Sequence, residues 1–394
     1  MNAKKRVLML VPSLGMGGME RVCVNYANLL CAAGYSVDLL NLTGGDDMIV
    51  GELSPAIRYI QDISQRTPNL LRAGLKNIVK GNVRFCSTGA WIKKASPKAL
   101  YRHLITTNPD LYDIEIAFYG GHMMRIISGS LQRKSVKIGW IHSPAIETHF
   151  PLFKNERDAK ETYRKMDIIF CVSDIVRERA LELFGPDVYA KVLHNPNNTP
   201  LIRSLAEEPV EDVQKRKFTF INASRIDITY KGLDRLIAAT KRLVDEGFDF
   251  DVWVLGNGKD DEPFHGLIRK NQLEDVVFAL GARTNPYKYL KVADCYLCTS
   301  RWEGFSMVVS EAVTLGLPVL STDISGAREM LGNSEYGIVV SNDEEGIYRG
   351  MKELLSDDAK KKWIREQAAT RVDYLSEQTI FSQFETILKE YQNR

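Results

Sequence analysis

Trp302-Glu303-Gly304-Phe305-Ser306-Met307-Val308-Val309-Ser310-Glu311-Ala312-Val313-Thr314-Leu315-Gly316-Leu317-Pro318 follows the apolar run Cys295–Thr299. The run reads as a strand. Ser306 has the chemistry of an N-cap, Gly316 suits the position just past a helix end, and Pro318 cannot continue a helix. The spacing predicts a helix of roughly three turns beginning at Ser306. The next apolar run, Val319–Ser321, predicts another strand. Strand, helix and strand in this order imply parallel strands joined by a crossover.

The same alternation extends outward in both directions. Further strands are expected at Arg6–Val11, Ser36–Leu42, Ile57–Ile60, Ile114–Tyr119, Val136–Ile141, Ile168–Val172 and Lys191–Leu193, and then at Phe218–Ala223, Asp251–Leu255, Val276–Leu280 and Gly337–Val340. Helices are expected at Gly18–Ala33, closed by Gly34, and at Asp174–Phe184, closed by Gly185. Between the two sets lies the polar stretch Asn195–Lys217, with Pro196, Pro200 and four acidic residues, which reads as a linker. The fold class expected is therefore α/β, with two doubly wound, Rossmann-like domains at 1–198 and 199–377. A last helix, Gln378–Tyr391 within 378–394, is expected to pack back on the N-terminal domain. Open α/β sheets bind ligands outside the carboxyl ends of their strands, so two such domains are expected to face a central cleft.

Composition narrows the classes. In 394 residues, 44% are hydrophobic and 26% charged, and the formal net charge is +2. A balance this close to neutral does not mark a polyanion binder, and no nucleic-acid partner is expected. The segment before Pro12 is too short for a signal-peptide core, and no apolar run approaches the ~20 residues of a membrane span. The six cysteines, Cys23, Cys31, Cys86, Cys171, Cys295 and Cys298, are scattered. This pattern suits reduced thiols in a cytoplasm. Cys295 and Cys298 form a lone CxxC inside a strand-like run and read as buried residues rather than as a zinc or redox site.

The helix after Ser306 is nearly apolar on all sides, so Glu311 is its anomaly. A carboxylate there needs hydrogen-bond donors. Ribose hydroxyls are suitable donors; the alternative is a cation from a neighbouring element. The helix N-terminus, preceded by Gly304, offers free N–H groups and the positive end of a dipole to a pyrophosphate. Glu303 stands just ahead of that end.

Two glutamates seven residues apart, the first followed by Gly-Phe and the second by Ala, then Gly-x-Pro-Val, resemble the signature of the retaining family 4 glycosyltransferases of the GT-B fold. Glu303-Gly304-Phe305, Glu311-Ala312 and Gly316-Leu317-Pro318-Val319 supply every part of it. The resemblance implies that Glu311 binds the donor ribose and that Glu303 contacts the transferred sugar. It also implies that Gly304, Phe305, Ser306 and Met307 contact sugar and phosphate through their backbone.

Other segments fit the same family. Gly17-Gly18-Met19-Glu20-Arg21 resembles its Gly-Gly-x-Glu-Arg loop, which places Gly17 and Gly18 against donor phosphates or beside the acceptor. Ser224-Arg225 and Lys231-Gly232 resemble its Gly-Arg and Lys-Gly, with Ser224 where glycine is usual. Arg225 and Lys231 would then clamp the diphosphate and stabilise it as it leaves. His142, after the strand Val136–Ile141, would lie beside the anomeric region. Gly256 belongs to a Gly-x-Gly turn on the base side, and Arg283 is expected to stack on or near the base. Asp249-Phe250-Asp251 spells a metal-binding Asp-x-Asp but starts a strand rather than ending one, so it reads as accidental. Neither a metal nor another cofactor is expected; the nucleotide sugar is a substrate.

From Ile63 to Pro109 there is no acidic residue and there are nine Lys or Arg: Arg66, Arg72, Lys76, Lys80, Arg84, Lys93, Lys94, Lys98 and Arg102. With Leu70, Leu71, Ile78, Phe85 and Trp91 among them, the stretch reads as a peripheral element for an anionic membrane at the inner face of the cell membrane. A solvated basic surface is the alternative. The function expected is metal-independent, retaining transfer of a hexose or N-acetylhexosamine from a nucleotide diphosphate sugar, a UDP-sugar favoured, to a hydroxyl of a glycan or lipid-linked glycan in cell-surface polysaccharide synthesis. A sugar-nucleotide epimerase of the same fold, active without an acceptor, and a non-catalytic nucleotide-sugar sensor are the alternatives.

Overall fold

Val7 to Val11 carry no polar side chain, as suits a strand covered on both faces. They form most of β1 (Arg6–Val11) in the computed structural model, which describes residues 4–15, 18–42, 47–61 and 95–394. β2 (Ser36–Asn41), β3 (Arg58–Ile60), β4 (Ile114–Ala117), β5 (Val136–Ile141), β6 (Ile168–Cys171) and β7 (Ala190–Val192) complete a parallel sheet in the order β3-β2-β1-β4-β5-β6-β7. A second parallel sheet holds β8 (Thr219–Ala223), β9 (Asp251–Leu255), β10 (Val277–Gly281), β11 (Cys295–Cys298), β12 (Val319–Thr322) and β13 (Ile338–Val340), in the order β10-β9-β8-β11-β12-β13. Each sheet is doubly wound. The strand order reverses between β1 and β4 in the first and between β8 and β11 in the second, and such switch points are where open α/β sheets take ligands.

The chain divides into two compact units, Met1–Pro196 with Phe381–Arg394, and Asn197–Ile380. In the second, Phe220, Val252 and Leu297 of the central strands pack with Leu236 of the helix Leu233–Asp245 and Ile347 of the helix Glu344–Ser356. The last helix, Glu377–Gln392, starts in the second unit and ends in the first. There Phe384 is fully buried, with its ring 5.6 Å from Phe170, 6.3 Å from Tyr26 and 6.5 Å from Trp140.

Two expectations need correction. The stretch Asn195–Lys217 is not a continuous linker, because it contains the helix Thr199–Ala206. Asn198 caps that helix by accepting from Leu201 N, and Pro200 lies in the first turn, where a missing N–H is harmless. Ile202 and Ala206 bury its inner face. The helix after Ser306 spans Met307–Thr314, nearer two turns than three, because Leu315 and Gly316 already close it.

Cys23, Cys171, Cys295 and Cys298 are buried free thiols and Cys31 is partly buried; Cys86 lies outside the described residues. Burial pushes the Cys295 and Cys298 thiols up, away from the reactive thiolate form. Seven of the nine cations of 63–109 also lie outside the described residues. Lys98 and Arg102 stand exposed on the helix Pro97–Leu104, whose Leu100, Tyr101 and Leu104 point inward. Among the described residues no helix is long and apolar enough to cross a membrane.

Candidate active site

The site in the second unit is built at the carboxyl ends of β8 and β11, the two strands at the switch point. After β8 the chain turns through Ser224-Arg225-Ile226. Asp227 caps the short helix Ile228–Lys231 by accepting from Tyr230 N at 3.0 Å, and Gly232 ends it in the left-handed region, φ +64°. A Cβ on Gly232 would lie 2.1 Å from Thr299 O, so only glycine lets this loop meet the end of β11. Thr299 Oγ1 donates to Lys231 O at 2.8 Å, and buried Arg235 donates to Thr299 O at 2.6 Å.

This fastening sets Lys231 against Glu303. Lys231 Nζ lies 2.6 Å from Glu303 Oε1, and Ser300 Oγ donates to the same oxygen at 2.8 Å. Both charged side chains are mostly covered. Two residues 72 positions apart, both expected at the donor, are thus one ion pair. Arg225 is exposed beside them and makes no ion pair among the described residues.

Ser306 occupies the N-cap position of the helix Met307–Thr314, yet its hydroxyl makes no capping hydrogen bond. The expected side-chain cap is therefore absent, which leaves the first-turn N–H groups open to an anion. Gly304 and Met307 are half-buried and Ser306 is buried. The Phe305 ring packs inward, where a Cβ on Gly326 would be 2.9 Å from it. Buried Asn197 fastens one side of this helix, donating to Thr314 Oγ1 at 2.8 Å and accepting from Ser310 Oγ at 3.0 Å. Glu311 lies on another side, and its Oε1 accepts from the Tyr287 hydroxyl at 3.1 Å. A tyrosine donor thus already meets the carboxylate that the sequence left in apolar company. Burial pushes the Tyr296 hydroxyl far up, and the Cys298 thiol and the Glu303 and Glu311 carboxylates add to it, which places both glutamates about the same strand end.

The loops after β8, β9 and β10 interlock. Gly256 has φ +134°, and a Cβ there would stand 1.8 Å from Ser224 O, so its glycine is required by loop packing. Ser224, unusual for the family resemblance, uses its hydroxyl to bond Asn222 Oδ1 at 2.9 Å. Arg283 is placed differently from a free stacking arginine. It pairs with Asp212 at 2.6 Å and donates to the Tyr289 hydroxyl at 3.0 Å, while that hydroxyl donates to Asp212 at 2.7 Å. Asp249 pairs with Lys217, and Asp251 with Arg216 at 3.3 Å, at the amino end of β9 and away from the strand ends that build the site. No group of three or more metal-ligating side chains occurs among the described residues.

In the first unit, His142 follows β5. Its Nε2 bonds Phe118 O at 2.8 Å, while Nδ1 is buried with no hydrogen-bond partner among the described residues. Burial pushes its imidazole down to about 4, with nearby His149 acting the same way. His142 is thus neutral near pH 7, with Nε2 as donor to the carbonyl and Nδ1 as an open acceptor. Gly18 is exposed at the start of the helix Gly18–Ala32, and Gly17 lies outside the described residues. Sequence reasoning missed Ser300, Tyr287, Asn197 and Arg235. Ser300 stands three residues before Glu303 and Arg235 three after Gly232, yet nothing in either residue type marks a role there.

Comparison with known proteins places the chain. The family described as glycosyl transferases group 1 matches residues 206–371. A Campylobacter jejuni protein, N-acetylgalactosamine-N,N'-diacetylbacillosaminyl-diphospho-undecaprenol 4-alpha-N-acetylgalactosaminyltransferase, is 33% identical over 364 residues, covering 91% of this chain and 92% of the relative. The phosphatidyl-myo-inositol mannosyltransferase of Mycolicibacterium smegmatis is 28% identical over 211 residues, 51% of each chain. The crystal structure of Anabaena HepE in complex with UDP superposes with a TM-score of 0.72 at 16% identity, covering 98% of this chain and 100% of that one, which shows a shared fold. The chain belongs to the group 1 glycosyl transferases and is a glycosyltransferase of the GT-B fold.

Proposed function

We propose that this enzyme moves a hexose or N-acetylhexosamine from a nucleotide diphosphate sugar, with a UDP-sugar favoured, to a hydroxyl of a lipid-linked glycan during cell-surface polysaccharide synthesis, with retention at the anomeric carbon and without a metal. The observation that carries this reading is the Lys231–Glu303 pair beside the uncapped start of the helix that bears Glu311. The relative from C. jejuni is named for N-acetylgalactosamine transfer onto a diphospho-undecaprenol-linked sugar, which supports the acceptor class. UDP in the HepE crystals supports the base.

In this reading Glu311 accepts from the ribose hydroxyls, joining or replacing the Tyr287 donor. The diphosphate meets the first-turn N–H groups of Met307–Thr314 together with Arg225 and Lys231. Glu303, held in place by Lys231 and Ser300, accepts from hydroxyls of the donor sugar. The anomeric C–O bond breaks towards the diphosphate, whose growing charge the cations and helix end stabilise. The acceptor oxygen bonds the anomeric carbon on the same face and passes its proton to the departing phosphate oxygen. Neutral His142, with an open Nδ1 acceptor, suits a sugar hydroxyl. These cations and amides would neutralise the diphosphate, so the reaction would need no divalent ion.

The test is calorimetry with UDP and a panel of UDP-sugars. Glu311→Ala is expected to weaken binding about tenfold to a hundredfold, as loss of hydrogen bonds to a charged group does. Unchanged affinity removes the ribose assignment.

A further inference from the structure

Trp302 and Tyr230 are large aromatic side chains left 57% and 36% exposed, one position ahead of Glu303 and one ahead of Lys231. Their ring centres are 6.2 Å apart at an interplanar angle of 50°. Lys231 Nζ, already 2.6 Å from Glu303, is also 5.4 Å from the Tyr230 ring centre. The aromatic pair therefore borders the charged pair directly.

The short helix that carries Tyr230 and the loop that carries Trp302 are both fastened by the residue between Ser300 and Trp302. Arg301 N donates to Tyr230 O at 3.0 Å, and its Nη1 donates to Thr229 O at 2.7 Å. The guanidinium grips Asp234 through two hydrogen bonds of 2.9 and 2.7 Å, and Asn342 Nδ2 donates to Arg301 O at 2.9 Å. Exposed aromatics so firmly mounted are a preorganised surface. More than half of Trp302 stays exposed beyond its contact with Tyr230.

We propose that Tyr230 and Trp302 form a stacking platform for the pyranose ring that receives the transferred sugar. The inference rests on the donor reading above and extends it along the same segment. Glu311 and the helix start at Met307 would take the nucleoside and diphosphate and Glu303 the donor sugar, and the aromatic pair adjoins Glu303 through Lys231, whose Nζ meets both Glu303 and the Tyr230 ring. One face of a pyranose presents C–H groups and its rim presents hydroxyls. An aromatic pair next to a carboxylate and an ammonium meets both, burying the C–H face and hydrogen-bonding the rim.

The test uses the full chain, saturating UDP, and methyl N-acetyl-α-galactosaminide and methyl α-glucoside as probes, followed by saturation-transfer NMR. Wild type is expected to transfer saturation to ring C–H protons of at least one probe. Trp302→Ala is expected to raise the apparent glycoside Kd roughly three- to tenfold with UDP affinity unchanged, and Trp302→Phe to retain most of the binding. Tyr230→Ala is expected to act in the same direction. Glycoside binding that is undetectable in wild type, or unchanged in Trp302→Ala, overturns the platform while UDP binding leaves the donor reading standing. A tenfold loss of UDP or UDP-sugar affinity in Trp302→Ala assigns the ring to the donor and also overturns it. Failure of wild type to bind UDP at all refutes the donor reading instead.

Discussion

Glu303 meets an opposite charge before any ligand arrives. With Lys231 and Ser300 both on its Oε1, it is held in one orientation and leaves Oε2 for a partner. In the proposed reading Lys231 would share its protons between Glu303 and the donor phosphate, which would tie the position of one to the occupancy of the other. The histidines make a separate claim at this scale. His142 and His122 are both pushed down to about 4 from the ordinary 6.5, chiefly by burial. Between those values the unfolded chain takes up protons that the folded one refuses. The stability these residues contribute is therefore present above pH 6.5 and declines as pH falls towards 4. Imidazole NMR should show both rings neutral at pH 5.5, and denaturant midpoints should fall steadily from pH 7 to 4.5. A midpoint near 6.5 for either ring contradicts the burial described here.

At the scale of elements, the interlocked loops after β8 and β9 are the most sensitive contact. Gly256→Ala forces a Cβ to within 1.8 Å of a backbone carbonyl at a φ few side chains adopt. It should destabilise the second unit by about 2 kcal/mol or more, read as a lower denaturant midpoint, because neither loop can move without breaking its ladder. Donor affinity should fall with it. The strands were legible because each is a short, mostly apolar run with at most one charged residue, ended by Gly, Pro or a polar cluster: Arg6–Val11, Val136–Ile141 and Asp251–Leu255 stand where their composition put them. The helix Thr199–Ala206 was hidden because Pro200 and the acidic residues after it look like linker chemistry, whereas a first-turn proline is compatible with a helix. Within the site, the glutamate spacing marked Glu303 and Glu311, but it could not show who holds them. Ser300 and Tyr287 contribute single hydroxyls from other elements, and a lone hydroxyl leaves no periodic or compositional trace. The partners of Arg283 were hidden for the related reason that Asp212 lies 71 residues away, in the stretch that reads as a linker.

For the whole molecule, the uneven charge makes its own prediction. Reversing Lys76, Lys80, Lys93 and Lys94 to glutamate should release the protein from vesicles rich in anionic lipid in a flotation assay, by roughly 1 kcal/mol per charge lost near the surface. Wild-type protein that never floats with such vesicles rules out the membrane role, leaving a basic surface that serves solubility. The crossing of the chain has a consequence of another kind. Phe384 belongs to the aromatic core of the first unit, with Tyr26, Trp140 and Phe170, yet it is separated from them in sequence by the entire second unit. On a ribosome, the first unit emerges with its sheet complete but its core one ring short, and the vacancy stays open while nearly two hundred further residues are made, about 10–40 s at ordinary elongation rates. The order of synthesis thus makes the first unit the last to finish folding.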